Sequence, residues 1–414
     1  MSSSPAPDMA RTVQAAPISR RAVGTTMGSA LIAAVAYIDP GNFATNVTAG
    51  ARFGPMLVWV VVAASAVGLL VQYLASKLGL VTGRSLPEHC RERMPSWARV
   101  GMWLQAELVV IMTDLAEVVG GAIALHLLFG VPMLAGATAM VLTSLAVLGL
   151  KVNGYSLFRP VVYAGLATVA AAFGYQVLHA DLGAGELASG LIPRLQGIDS
   201  AYLAAGVVGA TVMPHVVYLH SDMTKTELAV SGRAVPELLR RSRREISAAM
   251  LVAASINVCI MLAATTLGAQ QAGSLADAHA GFASVMGAAA GWAFALALLA
   301  SSLASTCVGV YSGQAIMAGF LRRHVSAWLL RCVSAVPALA VLAAGVDPTA
   351  ALVLSQVALS FGIPLALAPL LWLTSSSTVM GSAANTSLTV GAIGTVLGLV
   401  IGLNVFLTGS LLIG

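Results

Sequence analysis

Two apolar stretches of the chain are each interrupted near their centres, and these interruptions decide the fold. The first reads AYIDPGNFATN at 36–46 and the second reads GATVMPHVVYLHS at 209–221. A proline inside a helix removes one backbone hydrogen bond and clashes with the preceding turn, so we predict that both helices unwind at Pro40 and Pro214. Isolated proline kinks are ordinary in membrane helices, but each of these breaks has a polar or sulfur-containing side chain beside it. The two breaks therefore indicate a transporter with inverted repeats and a binding site between the unwound segments.

The chain as a whole is far more apolar than a soluble protein. Of its 414 residues, 58% are hydrophobic and 9% are charged, and the mean hydropathy is +0.90, whereas about one quarter of a soluble domain is charged. Because roughly 20 apolar residues in a helix cross the hydrocarbon of a bilayer, we predict an all-α membrane protein with about eleven transmembrane helices. They lie near 24–50, 56–77, 100–129, 133–150, 160–180, 201–221, 246–270, 287–320, 326–346, 350–373 and 387–412.

These helices form two halves of five, which is the pattern of a 5+5 inverted repeat with discontinuous helices one and six. We predict repeat one at about 24–180 and repeat two at about 201–373. The helix at about 387–412 lies outside the repeat. Residues 1–19 are expected to be a flexible cytoplasmic tail, so that 20–414 is a single transmembrane transporter domain.

The basic residues indicate how the chain crosses the membrane. If the N-terminus is cytoplasmic, all of the 21 Lys and Arg residues except Arg52 and Arg194 lie in cytoplasmic segments, which is a strong positive-inside bias. We therefore expect a multi-pass protein with a cytoplasmic N-terminus and an extracellular or periplasmic C-terminus. The short loops favour a bacterial cytoplasmic membrane.

Other classes of function have little support. The net charge of +5 is scattered over short loops without a nucleic-acid-binding motif. The four cysteines lie one to a segment without a C-x-x-C pair, so neither a disulfide framework nor a zinc site is indicated. No nucleophile–base pair, P-loop or metalloprotease motif indicates an enzyme. We expect no cofactor and no obligatory protein partner.

The first break supplies oxygen ligands. Asp39 lies in the middle of a span, where a carboxylate costs at least roughly 2.5–3.5 kcal/mol and is by default a functional candidate. Asn42, one helical turn later, can offer its amide oxygen to the same point, and the broken helix frees carbonyl groups such as that of Ala36. Together these groups form an oxygen-rich half of a site.

The second break adds sulfur. Met213 presents a thioether, and the unwound turn exposes the carbonyl of Ala210. Mg²⁺ and Ca²⁺ gain nothing from a thioether, whereas softer first-row ions and Cd²⁺ accept one, so the ligand set favours Mn²⁺ or Fe²⁺. Gln356 in span ten could complete the shell or could only join two helices. A lone methionine is more often a packing residue.

Three carboxylates lie on one side of the third span, at Glu107, Asp114 and Glu117. Such a stripe facing the interior of the bundle is typical of a proton relay. The alternative is a structural face lined by water, although several buried carboxylates need costly pairing.

Two histidines and one arginine extend this pattern. Span six carries His215 and His220, and the unperturbed pKa of an imidazole, about 6.5, suits proton exchange. Their five-residue spacing puts them on different faces, unlike the histidines of a zinc helix. His220, close to Asp222, could instead be an interfacial residue. Arg331 could pair with a carboxylate of span three or could extend to the lipid headgroups.

These motifs resemble those of the Nramp family of proton-coupled divalent metal ion transporters, and the resemblance covers most of the chain. DPGN and MPH are highly specific together. The matching strings are DPGNFATN at 39–46, TDLAEVVGGAI at 113–123, GATVMPHVVYLHS at 209–221, GQAIMAGF at 313–320 and LSQVALSFGIP at 354–364.

The resemblance implies a LeuT-like fold and import of Mn²⁺ and Fe²⁺ with protons, with tolerance of Co²⁺ and Cd²⁺. It implies metal ligation by the side chains of Asp39, Asn42 and Met213, joined in particular conformations by the two alanine carbonyls and Gln356. It also implies a proton route with Arg331 at its cytoplasmic end. That route would comprise Asp39, Asp114, Glu117 and His215.

The eighth helix departs from the family pattern at Ser302, where relatives tend to have glycine, and at Val310, where they tend to have threonine. Neither position is an expected ligand, so the departures bear on helix packing and transport rate. Met213 argues against a related branch that carries Mg²⁺ and lacks this methionine. The main rival is a Na⁺-coupled symporter of amino acids or other small solutes, which also uses broken helices one and six. A passive channel would need a continuous pore lined by symmetric rings.

Overall fold

The computed structural model describes residues 36–152, 158–178, 180, 183–268, 273–323 and 325–413. All regular elements in these ranges are helical, which confirms the predicted all-α class. Short 3₁₀ helices occupy Gly54–Leu57 and Gly381–Ala383. The α-helices are α1 Pro40–Phe53, α2 Val58–Thr82, α3 Leu86–Arg93, α4 Ser96–Phe129, α5 Met133–Val152, α6 Phe158–Leu178, α7 Ala184–Gly190, α8 Gly197–Thr211, α9 Pro214–Ser231, α10 Val235–Ala264, α11 Leu275–Met286, α12 Ala288–Leu321, α13 Ala327–Ala343, α14 Pro348–Ser375, α15 Ser377–Met380 and α16 Ser387–Ile413.

Seven stretches of the described chain are long and apolar enough to cross a membrane, and three shorter apolar helices accompany them. The predicted tail at 1–19 and the first half of span one lie outside the described residues, so the count of eleven remains a prediction. The long stretches are Pro40–Thr82, Ser96–Phe129, Gly197–Ser231, Val235–Ala264, Ala288–Leu321, Pro348–Ser375 and Ser387–Ser410, and the shorter ones are Met133–Ala146, Ala164–Leu178 and Trp328–Ala343.

The seventh span shows why apolar length alone misplaces a boundary. We predicted its start near residue 246, but α10 begins at Val235 with Pro236 in its first turn. The additional turns carry several arginines while Leu238, Ser242 and Ile246 stay buried at four-residue spacing. The helix therefore extends beyond its apolar part as an amphipathic segment.

The helix breaks lie where the prolines predicted them. Tyr37, Ile38 and Asp39 are not helical, and α1 begins at Pro40 with Asp39 as its extended N-cap residue. In the sixth span, α8 ends at Thr211 and α9 begins at Pro214. A proline at the first helical position is favourable because that position has no intrahelical use for an N–H group.

Glycines bring the broken helices against their neighbours. A Cβ atom at Gly209 in α8 would overlap the backbone carbonyl of Gln356 in α14, and one at Gly120 in α4 would overlap Pro40. Small residues at such crossings let helix backbones approach closely in a membrane protein. The breaks are thus held between α4 and α14.

The short helix α3 ties the end of α9 to the bundle. Lys225 donates a hydrogen bond of 2.8 Å to Glu88, and Ser221 accepts one of 2.9 Å from the backbone N–H of Leu86. Burial raises the pKa of the Glu88 carboxyl, but the hydrogen bond and the charge of Lys225 outweigh it, so this pKa lies below its usual range. Glu88 therefore stays ionised at neutral pH and keeps the contact.

Candidate metal-binding site

Asp39 caps α1 with one carboxylate oxygen and leaves the other bare. Its Oδ1 accepts hydrogen bonds from the backbone N–H and the side-chain Nδ2 of Asn42, at 2.8 and 2.7 Å. Within the described chain, Oδ2 has no hydrogen-bond partner, although Asp39 is fully buried. Because a buried carboxylate is costly without compensation, this oxygen marks the place where a cation or a proton would be stabilised.

Asn42 connects the two breaks. Its Nδ2 also donates to the carbonyl oxygen of Ala210 at 3.1 Å, and its Oδ1 accepts from the hydroxyl of Thr211 at 3.5 Å. In this arrangement the amide nitrogen faces the carboxylate. A cation between Asp39 and Asn42 would require the amide to rotate and present its oxygen, since only the oxygen is a ligand.

Two backbone carbonyls at the breaks lose their helical donors for the same reason. Ala36 precedes Pro40 by four residues, and Ala210 precedes Pro214 by four. In an α-helix the carbonyl of residue i accepts from the N–H of residue i+4, and proline has no N–H. Neither carbonyl therefore has its usual helical donor, and that of Ala210 accepts from Nδ2 of Asn42 instead.

At the first break, the backbone carbonyls between Ala36 and Asp39 are held by residues that the sequence did not indicate. Asn257 in α10 donates from Nδ2 to the carbonyl of Tyr37 at 2.7 Å, and Ser301 in α12 donates to the carbonyl of Ile38 at 2.6 Å. These bonds satisfy the unwound backbone and hold Asp39 in place. Asn257 lies 220 residues from Tyr37 along the chain, so no local pattern could reveal it.

Met213 lies at the second break, and Gln356 packs against the first. Met213 is buried as the N-cap residue of α9. Gln356 is fully buried, and its amide lies against Gly41, where any Cβ atom would overlap it. Its Nε2 donates to Ser355 at 2.9 Å, while its Oε1 has no partner among the described residues. The structure thus provides a second bare oxygen next to the turn that follows Asp39.

The composition of this cluster differs from that of a resident metal centre. Among the described residues, no group of three or more His, Cys, Asp and Glu side chains could hold a metal ion. The groups at the breaks are one carboxylate, two amides, one thioether and two carbonyls. Oxygen atoms with one thioether are a ligand set that first-row divalent ions accept.

Arg331 forms an ion pair with carboxylates of span three, which is one of the two arrangements predicted for it. Its Nη1 lies 2.7 Å from Oδ1 of Asp114 and 3.3 Å from Oε2 of Glu117, and all three side chains are buried. The Nε donates to Ser144 at 2.8 Å, and Nη2 lies 3.5 Å from the hydroxyl of Thr306. An extended arginine at the headgroups is therefore not observed.

Glu107 lies apart from this pair but shares a cavity with it. The cavity has a volume of about 40 Å³ and is lined by Glu107, Asp114 and Arg331 among others, which gives room for about two or three water molecules. Trp103 donates to Oε1 of Glu107 at 3.2 Å. Of the three carboxylates predicted on one side of span three, Glu107 and Asp114 line this cavity, and Glu117 contacts Arg331.

The two histidines of α9 lie in different surroundings. Nδ1 of His215 is 3.3 Å from the hydroxyl of Thr113, the residue before Asp114, so His215 connects α9 to α4. Nδ1 of His220 is 2.7 Å from Oε1 of Gln72, whose Nε2 donates to the hydroxyl of Tyr37. His220 is buried in the protein and connects α9 to α2 through Gln72.

The residues that depart from the family pattern lie in the packed interior. Ser302 donates to the carbonyl of Leu298 at 2.8 Å within its own helix, and Val310 is buried. Next to Val310, a Cβ atom at Gly309 would lie 2.6 Å from Oδ1 of Asp114. These positions therefore affect how closely α12 approaches the carboxylates of α4.

Comparison with known proteins identifies the family. A family model described as natural resistance-associated macrophage protein-like, Nramp, matches residues 30–410. The divalent metal cation transporter MntH of Aeromonas hydrophila is 43% identical over 388 residues, which cover 92% of this chain and 95% of that protein.

Solved structures show the same architecture. A manganese transporter of Eremococcus coleocola superposes with a TM-score of 0.82 at 28% identity, over 92% of this chain and 85% of that one. MhsT, solved in complex with L-phenylalanine, superposes with a TM-score of 0.64 at 13% identity over 92% of this chain and 98% of that one, a likeness of fold alone. The predicted LeuT-like fold is thereby confirmed. Since the family model covers nearly all of the chain and the sequence identity to a curated relative exceeds two fifths, this protein belongs to the Nramp family.

Proposed function

We propose that this protein imports divalent transition-metal ions, chiefly Mn²⁺ and Fe²⁺, together with protons, across the bacterial cytoplasmic membrane. The observation that carries the proposal is the buried Asp39 with one bare carboxylate oxygen at the junction of two helix breaks. The names of the MntH relatives and of the manganese transporter support the choice of substrate.

In the proposed complex, the ion is held by the side chains of Asp39, Asn42 and Met213. The carbonyls of Ala36 and Ala210 replace part of its water shell, and the bare Oε1 of Gln356 joins when the site is closed to both sides. One thioether among oxygen ligands favours Mn²⁺ and Fe²⁺, with Co²⁺ and Cd²⁺ also accepted, over Mg²⁺ and Ca²⁺.

Protons take a separate path in this mechanism. A proton bound at Asp39 passes by His215 to Asp114 and Glu117, whose pairing with Arg331 keeps two carboxylates stable in the interior. The cavity at Glu107 then leads away from the pair. The buried His220 belongs to this proposal only as a polar link between α9 and Tyr37.

Alternating access follows from the two repeats. An inside-negative membrane potential favours the entry of a cation by about 2.3 kcal/mol per charge per 100 mV. The division into repeats at about 24–180 and 201–373, with the last helix outside them, remains part of the proposal.

The main rival is a Na⁺-coupled amino-acid symporter, because MhsT shares the fold. The carboxylate of Asp39 argues against it. An α-amino acid would place its own carboxylate near the half-helix N-terminus of the break, where the buried Asp39 would repel it.

The direct test is Mn²⁺ uptake into proteoliposomes that contain an internal pH dye, with Mg²⁺ and leucine as competitors. We expect saturable Mn²⁺ entry with internal acidification and no effect of leucine. Uptake that leucine blocks, or an active preparation without Mn²⁺ flux, would mean that the fold serves another substrate.

Met213→Ala is expected to weaken discrimination against Mg²⁺ and Ca²⁺ by roughly tenfold, because the remaining ligands are all oxygen atoms. Competition of Mg²⁺ and Ca²⁺ with Mn²⁺ uptake measures this change. Met380→Ala is the matched control, since Met380 is equally buried but lies in α15, away from the breaks. Equal discrimination in both variants and wild type would contradict a ligand role for Met213.

Asp114→Asn is expected to leave Mn²⁺ binding intact while lowering the number of protons that enter per metal ion. Asn keeps the shape of the side chain but cannot carry a proton in the same way, and Asp114 contacts Arg331 rather than the breaks. The ratio of acidification to Mn²⁺ uptake measures the effect. Asp222→Asn is the control, because Asp222 is only partly buried and pairs with Lys225. An unchanged ratio would argue against a proton route through Asp114.

A further inference from the structure

A second cavity lies at the surface, where α3 ends, α4 begins and α12 ends. Its volume is about 360 Å³, which is the size of a small-ligand site. Three of the lining residues are arginines and only one is acidic. The lining residues are Arg91, Glu92, Arg99, Phe320, Leu321 and Arg322.

The positive charge of this cavity is incompletely neutralised. Glu92 is shared with Arg84 outside the cavity and with Arg91 at 3.9 Å. In the described ranges, Arg99 and Arg322 form no ion pair with a carboxylate. The Nε atoms of Arg91 and Arg99 are buried without a hydrogen-bond partner, and buried donors of this kind require an acceptor.

Arg91 is held at one side of the cavity by hydrogen bonds to α12. Its Nη1 donates to the carbonyl groups of Ala318 and Gly319 in the last turn of α12. The carbonyl of Ala318 also accepts from the backbone N–H of Arg322, whereas the carbonyls that follow it at a helix C-terminus lack intrahelical donors. The arginine therefore joins α3 to the end of α12. The other two arginines remain for a ligand.

Arg322 occupies an unusual backbone position. It ends α12 with a φ of 55°, the left-handed conformation that glycine adopts at the ends of α2, α4 and α9. Among the described residues it is the only non-glycine with positive φ. Because glycine is normally preferred in this conformation, the arginine is held there at a conformational cost.

The cavity lies at the end of a helix that is long enough to cross a bilayer. Trp97 in the first turn of α4 is 80% exposed, and Val100, Leu104 and Leu108 follow it as exposed residues on the same helix face. At 34 residues, α4 is about 51 Å long, so its ends extend past the roughly 30 Å of hydrocarbon into the headgroup layer. Tryptophan is enriched at that level.

We propose that this cavity binds the phosphate of an anionic lipid headgroup. Arg99 and Arg322 donate charge-assisted hydrogen bonds to the phosphate oxygens. Basic pockets between membrane helices are suited to such headgroups. The position of the cavity at the end of α4, at the level of the headgroups, favours a lipid over a free phosphate ion, which would use the same arginines.

The test measures lipid retention by the full-length protein in nanodiscs of phosphatidylcholine with added phosphatidylglycerol, read by native mass spectrometry. Wild type is expected to retain phosphatidylglycerol at least about tenfold better than phosphatidylcholine, and the double variant Arg99→Gln with Arg322→Gln to lose this preference. The control double variant Arg243→Gln with Arg244→Gln removes two exposed arginines of α10 and is expected to behave as wild type.

Arg322→Gly separates binding from folding. Glycine suits the left-handed turn, so this variant is expected to have a higher melting temperature in pure phosphatidylcholine and yet to lose retention of phosphatidylglycerol. Equal retention of both lipids by wild type, or equal losses in the cavity and control variants, would overturn the proposal. If inorganic phosphate alone stabilises the protein as phosphatidylglycerol does, the ligand is a soluble anion and the lipid assignment is wrong.

Discussion

Asp39→Ala is expected to abolish Mn²⁺ uptake, lowering the rate at subsaturating Mn²⁺ by about a hundredfold or more. Removal of one partner from a buried charge pair costs roughly 3–5 kcal/mol, and each 1.4 kcal/mol is about tenfold. Asp39 is the formal charge at the helix breaks, and its Oδ2 has no competing partner in the described chain. Uptake of radioactive Mn²⁺ into proteoliposomes measures the loss.

Asp39→Asn distinguishes the loss of a ligand charge from the loss of a helix cap. Aspartate and asparagine cap helices about equally well, whereas alanine costs about 1 kcal/mol, so the asparagine variant should keep the start of α1. We expect it to melt near the wild-type temperature and still to fail in uptake. Asp199→Asn is the control, because Asp199 is exposed and pairs with Arg52 at 3.3 Å. Normal uptake by Asp39→Asn would contradict the proposed metal site.

The fold was predictable because the features that determine it are local in the sequence. Pro40 and Pro214 interrupt helices by their own covalent geometry, and the apolar runs set the helices that surround them. The same locality explains the failure at α10, whose charged first turns are helical for amphipathic reasons and not for apolar length. Boundaries follow packing, which a count of apolar residues does not contain.

The sequence indicates which residues lie at the two helix breaks, but not the residues that support them. Asp39, Met213 and the two alanine carbonyls follow from the breaks themselves. Asn257 and Ser301, which hold the unwound carbonyls, lie on α10 and α12. Their partners are distant in the sequence, so they become visible only once the helices are packed.

The proposed metal and proton sites meet along α4. Gly120 of α4 lies against Pro40 at the first break, and Thr113 of the same helix contacts His215 just after the second. Asp114 and Glu117 lie between these two contacts in the sequence. Any movement of α1 or α9 relative to α4 therefore changes the surroundings of both sites, which gives coupling a physical basis.

Arg331→Gln is expected to destabilise the protein by about 3–5 kcal/mol, because it leaves two buried carboxylates without their cation. Asp114 and Glu117 both lie within 3.3 Å of its Nη1. The melting temperature in detergent measures the loss. The exposed pair of Arg84 and Glu92 supplies the control, since Arg84→Gln at a surface pair is expected to cost no more than about 1 kcal/mol.

A second substitution tests whether unpaired charge is the cause. If it is, Asp114→Asn or Glu117→Gln in the Arg331→Gln background should recover part of the lost stability, because each removes one uncompensated carboxylate. If the loss of stability instead comes from a cavity left by the shorter side chain, the second substitution should not restore stability. The losses of the two substitutions should then add, as they do at independent sites. Recovery would establish that Arg331 holds the carboxylate pair in the interior, whereas additive losses would mean that it acts there mainly through packing.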